Sequence, residues 1–113
     1  MADHITIRKA SGTYVVRTSG AIVAESAAVL ELSEGDYAPV IYFPRGDVAM
    51  AVLEQTDRQT RCPHKGQATY FSLVTPEGTI ADAAWSYEAP LDGVAEIKGH
   101  LAFDGEKVTV EQI

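Results

Sequence analysis

Alternation between apolar and polar residues, broken at short intervals by glycine, is the feature that most constrains how this chain folds. The opening stretch HITIRKASGTYVVRTSGAIVAES shows it over residues 5–8, 14–18 and 22–25, with Ser-Gly steps between them. A period of two places alternate side chains on one face of a strand, whereas an amphipathic helix requires a period of 3.6. This part of the chain therefore predicts three short β-strands joined by tight turns.

Later segments carry the same signal. AAVLELSEG and YAPVIYFP each predict a strand, because they are rich in β-branched and aromatic residues or end at a turn residue. ATYFSLVT and TIADAAWSY predict a hairpin about the turn PEG, whose glycine can adopt a positive φ. GHLAF and EKVTVEQI predict a second hairpin at the C-terminus, joined by Asp104 and Gly105.

Helix signals are few. In PRGDVAMAVLEQT, Pro44 suits a first helical turn, and Val48, Val52 and Leu53 are spaced for one buried face, which predicts a single short helix or helical turn. PLDGVAEI predicts a loop or one helical turn. The predicted fold class is mainly β: one domain over residues 1–113, built of small antiparallel sheets with one or two short helical turns.

Charge and cysteine content exclude several classes of protein. A net charge of −7 argues against nucleic-acid binding, and no apolar run approaches the ~20 residues of a membrane helix. The start MADHITIRKASG has no apolar signal core, and one cysteine cannot form an internal disulfide, so we expect a cytoplasmic protein. Exposed edge strands in a small β domain also allow a homodimer.

The stretch TRCPHKGQATY gathers the only cysteine, a histidine and two cations around a proline. Neighbouring cations stabilise a thiolate, so one hypothesis makes Cys62 a nucleophile or redox group with His64 as its proton partner. The alternative is that Cys62 is a small buried hydrophobic residue, where free cysteines most often lie. Arg58, Arg61 and Lys65 fall within eight residues, which is also typical of a solvated loop.

A second polar group leaves an aromatic strand in YFPRGDV. Arg45 offers a planar fork that suits a carboxylate or phosphate, and Asp47 can hold that fork in place. Alternatively, Asp47 charges the first helical turn and Arg45 is solvated. Tyrosine and tryptophan combine an apolar ring with a polar tip, so they suit mixed pockets as well as cores. Seven of the nine aromatic residues lie in this middle region: Tyr37, Tyr42, Phe43, Tyr70, Phe71, Trp85 and Tyr87.

Common catalytic and cofactor motifs do not occur in the sequence. It contains no P-loop, no G-x-G-x-x-G turn, no G-x-S-x-G elbow and no H-E-x-x-H. A structural zinc site commonly uses paired Cys-x-x-Cys ligands, whereas this chain has one cysteine, and its three histidines do not show the spacing of metal ligands. We therefore expect no metal and no cofactor.

With these segments identified, the chain resembles the domain-of-unknown-function family 427, also labelled nucleotidyltransferase-like. IYFPRGDVAM, TRCPHKGQATYFS, DAAWSYEAP and IKGHLAF carry the resemblance in this order, over roughly residues 22–110. The resemblance implies a small fold similar to the β-tent group. It does not point to a particular activity or to a bound metal. The positions that match the family pattern are Tyr42, Pro44, Arg45, Asp47, Cys62, Pro63, Lys65, Gly66, Tyr70, Trp85 and Tyr87.

These positions coincide with the residues selected by their chemistry, which favours a common pocket. The leading hypothesis is that the pocket binds a small anionic molecule. Arg45 and Lys65 would neutralise it and Asp47 would orient Arg45, with walls formed by Tyr42, Tyr70, Trp85 and Tyr87. The alternatives are a thiol enzyme that uses Cys62 with His64, and a structural or protein-interaction domain that takes no ligand.

Overall fold

Short antiparallel strands account for most of the residues that the computed structural model describes, 4–113. In chain order, β1 to β10 are Ile5–Lys9, Tyr14–Thr18, Ala21–Ser26, Leu30–Glu34, Val40–Tyr42, Leu53–Cys62, Gly66–Thr75, Gly78–Ser86, Ala102–Phe103 and Thr109–Gln112. Three 3-10 turns lie between strands, at Arg45–Asp47, Met50–Val52 and Asp92–Ile97. The predicted mainly-β class with short helical turns is confirmed. No helix within the described residues has the length and apolar character needed to cross a membrane.

The strands form three antiparallel sheets. Their strand orders are β1-β4-β5, β10-β2-β3 and β6-β7-β8-β9. Isolated bridges tie the sheets together, with Phe43 opposite Leu101 and Ala24 opposite Val48. The radius of gyration is 13.5 Å, close to the ~13 Å expected for one compact domain of this length.

The four-stranded sheet contributes to a different hydrophobic core on each face. Alternation along β7 places Ala68 and Tyr70 on one face and Phe71 and Leu73 on the other. The first core, shared with β4 and β5, contains Leu32, Tyr42, Ala68, Tyr87, Val94, Ile97 and Ala102. The second core, shared with β2 and β3, includes Val16, Val23, Phe43, Phe71, Leu73, Leu101 and Phe103.

Most of the predicted strands are confirmed. β1, β2 and β3 cover residues 5–8, 14–18 and 22–25, with at most one extra residue at either end of each strand. The hairpin about PEG forms between β7 and β8, where Thr75 pairs with Gly78. β1 shows this alternation most clearly, with Ile5 and Ile7 half-buried and Thr6 exposed. β2 and β7 bury adjacent residues on both faces over part of their length, and β-branched and aromatic residues between turns mark them instead.

After Pro44, of the two predicted alternatives, a short helix or a helical turn, the structure has helical turns and no single helix. The chain makes two separate 3-10 turns there, and Leu53 then begins the ten-residue strand β6. Between the turns, the Ala49 N–H donates to the Val23 carbonyl at 2.8 Å, which fastens this segment to β3 and interrupts the helical path. Sequence analysis missed β6 because nearly all of its residues are polar and exposed. As an edge strand, it carries little apolar alternation to detect.

The predicted C-terminal hairpin is wrong, although its turn forms. The N–H groups of Lys107 and Val108 donate to the Asp104 carbonyl, each at 3.0 Å. However, β9 pairs with β8, and β10 crosses to another sheet and pairs with β2. Val108 is buried in the second core, so the chain leaves the four-stranded sheet at this turn rather than folding back on β9.

Candidate functional site

A cleft of about 550 Å³ lies between the sheet β1-β4-β5 and the four-stranded sheet. One wall comes from β4, β5 and the loop between them, and the other comes from β6, β7, β8 and the loop after β9. The cleft is lined by Leu32, Glu34, Tyr37, Ala38, Val40, Tyr42, Arg58, Lys65, Tyr70, Asp82, Trp85, Tyr87, Asp104 and Lys107. It brings five aromatic residues together with three cations and three carboxylates.

Tyr42, Tyr87 and Trp85 form the deep part of this lining. Tyr42 and Tyr87 are buried members of the first core. The indole Nε1 of Trp85 donates to the Tyr42 hydroxyl at 3.4 Å. Burial raises the pKa of Tyr42 and the pKa of Tyr87 above the ordinary tyrosine value, so both phenols are neutral at physiological pH. They therefore present hydrogen-bonding hydroxyls, not phenolates, to the cleft.

An ion pair between Lys65 and Glu34 closes one end of the cleft. Lys65 Nζ donates to Glu34 Oε1 at 2.5 Å, and the two side chains are only 12% and 20% exposed. The hydrogen bond from Lys65 lowers the pKa of Glu34 against the opposing effect of burial, and His4 lies 3.4 Å from the other carboxylate oxygen. Burial alone would lower the pKa of Lys65, but Glu34 and the neighbouring Cys62 outweigh it and raise that pKa. Both groups are charged at neutral pH, and they join β4 to the turn between β6 and β7.

The two candidate catalytic residues lie at this same end. Cys62 is half-buried, packs against the first core and has the Lys65 ammonium as a neighbour. His64 meets a different partner, because its ring contacts the His4 ring edge to face at 4.5 Å. The structure thus gives the thiol an ammonium neighbour and gives the His64 imidazole a histidine neighbour. Cys62 and His64 are not among the residues that line the cleft.

The end of the cleft that holds Arg58 and Asp82 is built on two β-bulges. The register between β6 and β7 shifts at 55–59, and the register between β7 and β8 shifts opposite Ser72. Bulges redirect side chains and are frequent beside functional sites. Asp82 lies in the second bulge at φ 49°, where its N–H donates to Ser72 Oγ at 3.1 Å and its carboxylate accepts from Thr56 Oγ1 at 2.8 Å. These bonds hold a non-glycine residue in the left-handed region and point its carboxylate at the cleft.

Arg58 lies over an aromatic ring at this end. Its guanidinium carbon is 4.7 Å from the centroid of Tyr70, whose own hydroxyl is 2.9 Å from Thr60 Oγ1. The only carboxylate that Arg58 approaches among the described residues is Asp82, at 4.0 Å, and the side chain is 55% exposed. Most of the guanidinium donors are consequently available. Lys107 adds a second cation here, with one donor used on the Ala81 carbonyl at 2.8 Å.

The structure places Arg45 and Asp47 outside the cleft lining and apart from each other. Arg45 Nη1 donates to Glu88 Oε2 at 3.1 Å and to the Gly99 carbonyl at 3.0 Å. Asp47 Oδ2 accepts instead from Ser26 Oγ at 2.6 Å. Of the residues that the sequence suggested, the cleft therefore brings together Tyr42, Lys65, Tyr70, Trp85 and Tyr87. In residues 4–113, no group of three or more His, Cys, Asp or Glu side chains is arranged to hold a metal ion.

Sequence reasoning did not identify Glu34, Asp82 or Lys107 as site residues. Each reaches the cleft through a contact with a residue far away in the chain, and Glu34 is 31 positions from Lys65. For Arg58, the only indication in the sequence was its place in the group of cations around Cys62. Its orientation over Tyr70 depends on the bulge in β6, which no local pattern indicates.

Comparison with known proteins gives one result that covers the whole fold. A search of curated protein sequences found no significant match. The model of the domain of unknown function DUF427 matches residues 6–113, which extends beyond the 22–110 expected from the motifs and includes all the cleft residues. The family model carries a nucleotidyltransferase-like name, which is a label and not a measured activity. The chain belongs to the DUF427 family.

Proposed function

We propose that this protein binds a small anion-bearing organic molecule in the cleft between the two sheets. The observation that carries the proposal is the Arg58 guanidinium, which lies over the Tyr70 ring at the open end with most of its donors unused. A guanidinium held over a ring, with its donors free, matches the donor geometry that a carboxylate or phosphate accepts. The volume of about 550 Å³ suits a small ligand.

The distribution of charge explains why Arg58 receives the anion in this proposal. The cleft holds three cations and three carboxylates, so its formal charge is balanced. Lys65 is engaged by Glu34, and Asp104 accepts from the Glu106 N–H at 2.9 Å. Among the described residues, Arg58 approaches no carboxylate except Asp82, at 4.0 Å, so it is the least engaged of the three cations that line the cleft. Lys107 supports it from the loop after β9.

The other cleft residues then have structural or wall roles. Trp85, Tyr42 and Tyr87 provide the apolar surface and hydroxyls that a ligand body meets. The Lys65–Glu34 pair fixes the distance between the walls. No ligand contact is assigned to Arg45 or Asp47, because neither lines the cleft.

The position of the only tryptophan makes the proposal easy to test. Trp85 lines the cleft, so its fluorescence reports on any ligand that enters. We expect saturable changes in emission with benzoate or cyclohexanecarboxylate, and much weaker changes with the uncharged benzamide. Arg58→Ala should weaken binding of the acids about tenfold or more, as expected for the loss of a charge-assisted hydrogen bond.

Arg17→Ala is the matched control, because Arg17 is a half-exposed arginine that pairs with Glu111 outside the cleft. It should leave every affinity unchanged. If benzamide binds as tightly as the acids, or if Arg58→Ala has no more effect than Arg17→Ala, the site does not recognise anions and the proposal is wrong.

A further inference from the structure

The loop between β4 and β5 places an exposed aromatic residue at the mouth of the cleft. Tyr37 is 79% exposed, although it lines the cleft, and its N–H donates to the Glu34 carbonyl at 3.0 Å. The backbone is thus anchored beside the Lys65–Glu34 pair while the ring remains in solvent. A large ring left exposed at the edge of an aromatic-lined cleft gains burial when it covers a bound surface.

The opposite wall carries two neighbouring aromatic rings whose planes are inclined by 40°. Trp85 and Tyr70 pair directly across β8 and β7, and their ring centroids are 6.5 Å apart. Arg58 occupies the face of Tyr70, so the Tyr70 ring is used inside the protein and Trp85 is the wall residue left for a ligand.

We infer that the ligand is a flat aromatic molecule that carries a carboxylate or phosphate, with its ring between Tyr37 and Trp85 and its anion on Arg58. Tyr70 is a positioning residue, because it holds the guanidinium at the depth where an acid attached to that ring would lie. This inference rests on the proposed anion-binding function and adds the chemical class of the ligand. Aromatic carboxylates and aromatic phosphates both carry an oxyanion on a flat ring, and the experiment below distinguishes between them.

The test compares ligands that differ in one property, by calorimetry and by Trp85 fluorescence. Benzoate and cyclohexanecarboxylate carry the same charge on a similar frame, but only benzoate has a π face. We expect benzoate to bind about tenfold more tightly, since aromatic stacking contributes roughly that much. Phenyl phosphate in place of benzoate shows which oxyanion Arg58 prefers.

Variants of the wall residues give the second arm. Tyr37→Ala should weaken benzoate about tenfold and cyclohexanecarboxylate by a smaller factor of about threefold, because both ligands lose apolar cover but only benzoate loses a stacking partner. Ile113→Ala is the control, since Ile113 is an exposed apolar residue outside the cleft. Tyr70→Leu should weaken both acids, and Tyr70→Phe should restore them, because the phenyl ring alone supports the guanidinium.

The outcomes separate the two proposals. Equal affinities for benzoate and cyclohexanecarboxylate, or no effect of Tyr37→Ala on benzoate, would overturn the aromatic ligand class and leave the anion site intact. Failure of Tyr70→Phe to restore binding would overturn the positioning role of Tyr70. If none of these acids binds the folded protein up to its solubility limit, both proposals are wrong.

Discussion

Replacing Lys65 by methionine tests whether the ion pair holds the two walls of the cleft together. The substitution keeps a long unbranched side chain and removes the ammonium, which leaves Glu34 with His4 as its remaining partner. Exposed ion pairs contribute up to about 1 kcal/mol, and fully buried pairs that lose one partner cost about 3–5 kcal/mol. Because the Lys65 and Glu34 side chains are 12% and 20% exposed, we expect a loss of about 2 kcal/mol.

Thermal unfolding followed by circular dichroism measures this loss. For a domain of this length, a loss of about 2 kcal/mol lowers Tm by about 8 °C. A double-mutant cycle with Glu34→Gln isolates the pair, and the double variant should lose less than the sum of the two single variants by about 1 kcal/mol or more. The matched control is Arg17→Met, which breaks an exposed pair with Glu111 and should cost less than about 1 kcal/mol.

The pH dependence of stability gives an independent check on the same pair. The folded pKa of Glu34 is lowered from 4.5, so its contribution is present above that value and is lost as the pH falls through the folded pKa. The folded pKa of Lys65 is raised from 10.5, so its contribution is present below that value and is lost as the pH rises through the folded pKa. The difference in Tm between wild type and Lys65→Met should therefore be largest between about pH 5 and pH 10. Additive single variants, or a difference that persists unchanged in strong acid, would refute the reasoning.

Three further predictions concern the residues around the cleft. Gly66→Ala should lower the free energy of unfolding by about 1–3 kcal/mol, because Gly66 has φ +108°, a conformation that alanine rarely adopts. Gly46→Ala is the control, since Gly46 has an ordinary φ and open space around it and the substitution should have no measurable effect. Equal effects of the two substitutions would contradict this account. Ser86→Ala should leave the free energy of unfolding unchanged or raise it by up to about 1 kcal/mol, because Ser86 Oγ is buried without a hydrogen-bond partner among the described residues. A marked decrease in the free energy of unfolding, measured by chemical denaturation, would mean that the hydroxyl does form a hydrogen bond. Cys62 should react with iodoacetamide more slowly in the native protein than in urea, because it is half-buried against the first core. A faster reaction in the native protein would contradict this and favour the thiol-enzyme hypothesis.

The strands that sequence analysis identified are those that contribute apolar side chains to a core. In β1, Ile5 and Ile7 alternate with the exposed Thr6, whereas in β2 the adjacent Val15 and Val16 are both buried, so β-branched residues between two turns marked that strand. β6 lacked this signal because its outer residues are polar and exposed. The partner of β10 depends on where the chain goes after Asp104, and a strong local turn does not specify which sheet the next strand joins.

The candidate site was predictable only in part, for a related reason. Tyr70 and Trp85 were chosen from composition and motif, and strand pairing sets them side by side in the cleft. Arg45 and Asp47 are two positions apart in sequence, but the 3-10 turn directs one to Glu88 and the other to Ser26. Contacts between distant residues are set by register and bulges, and these are properties of the assembled sheets.

The two cores share their supporting strands, which determines how the protein opens. Tyr42 and Phe43 are adjacent in the chain, yet Tyr42 belongs to the first core and Phe43 to the second. β7 and β8 likewise contribute side chains to both cores. Loss of either core therefore removes the support of the other, and amide protons in β7 and β8 should exchange only through global unfolding, with a common free energy of opening. Movements within the folded state are then confined to loops such as the one that carries Tyr37, while the sheets behind the cleft keep their pairing.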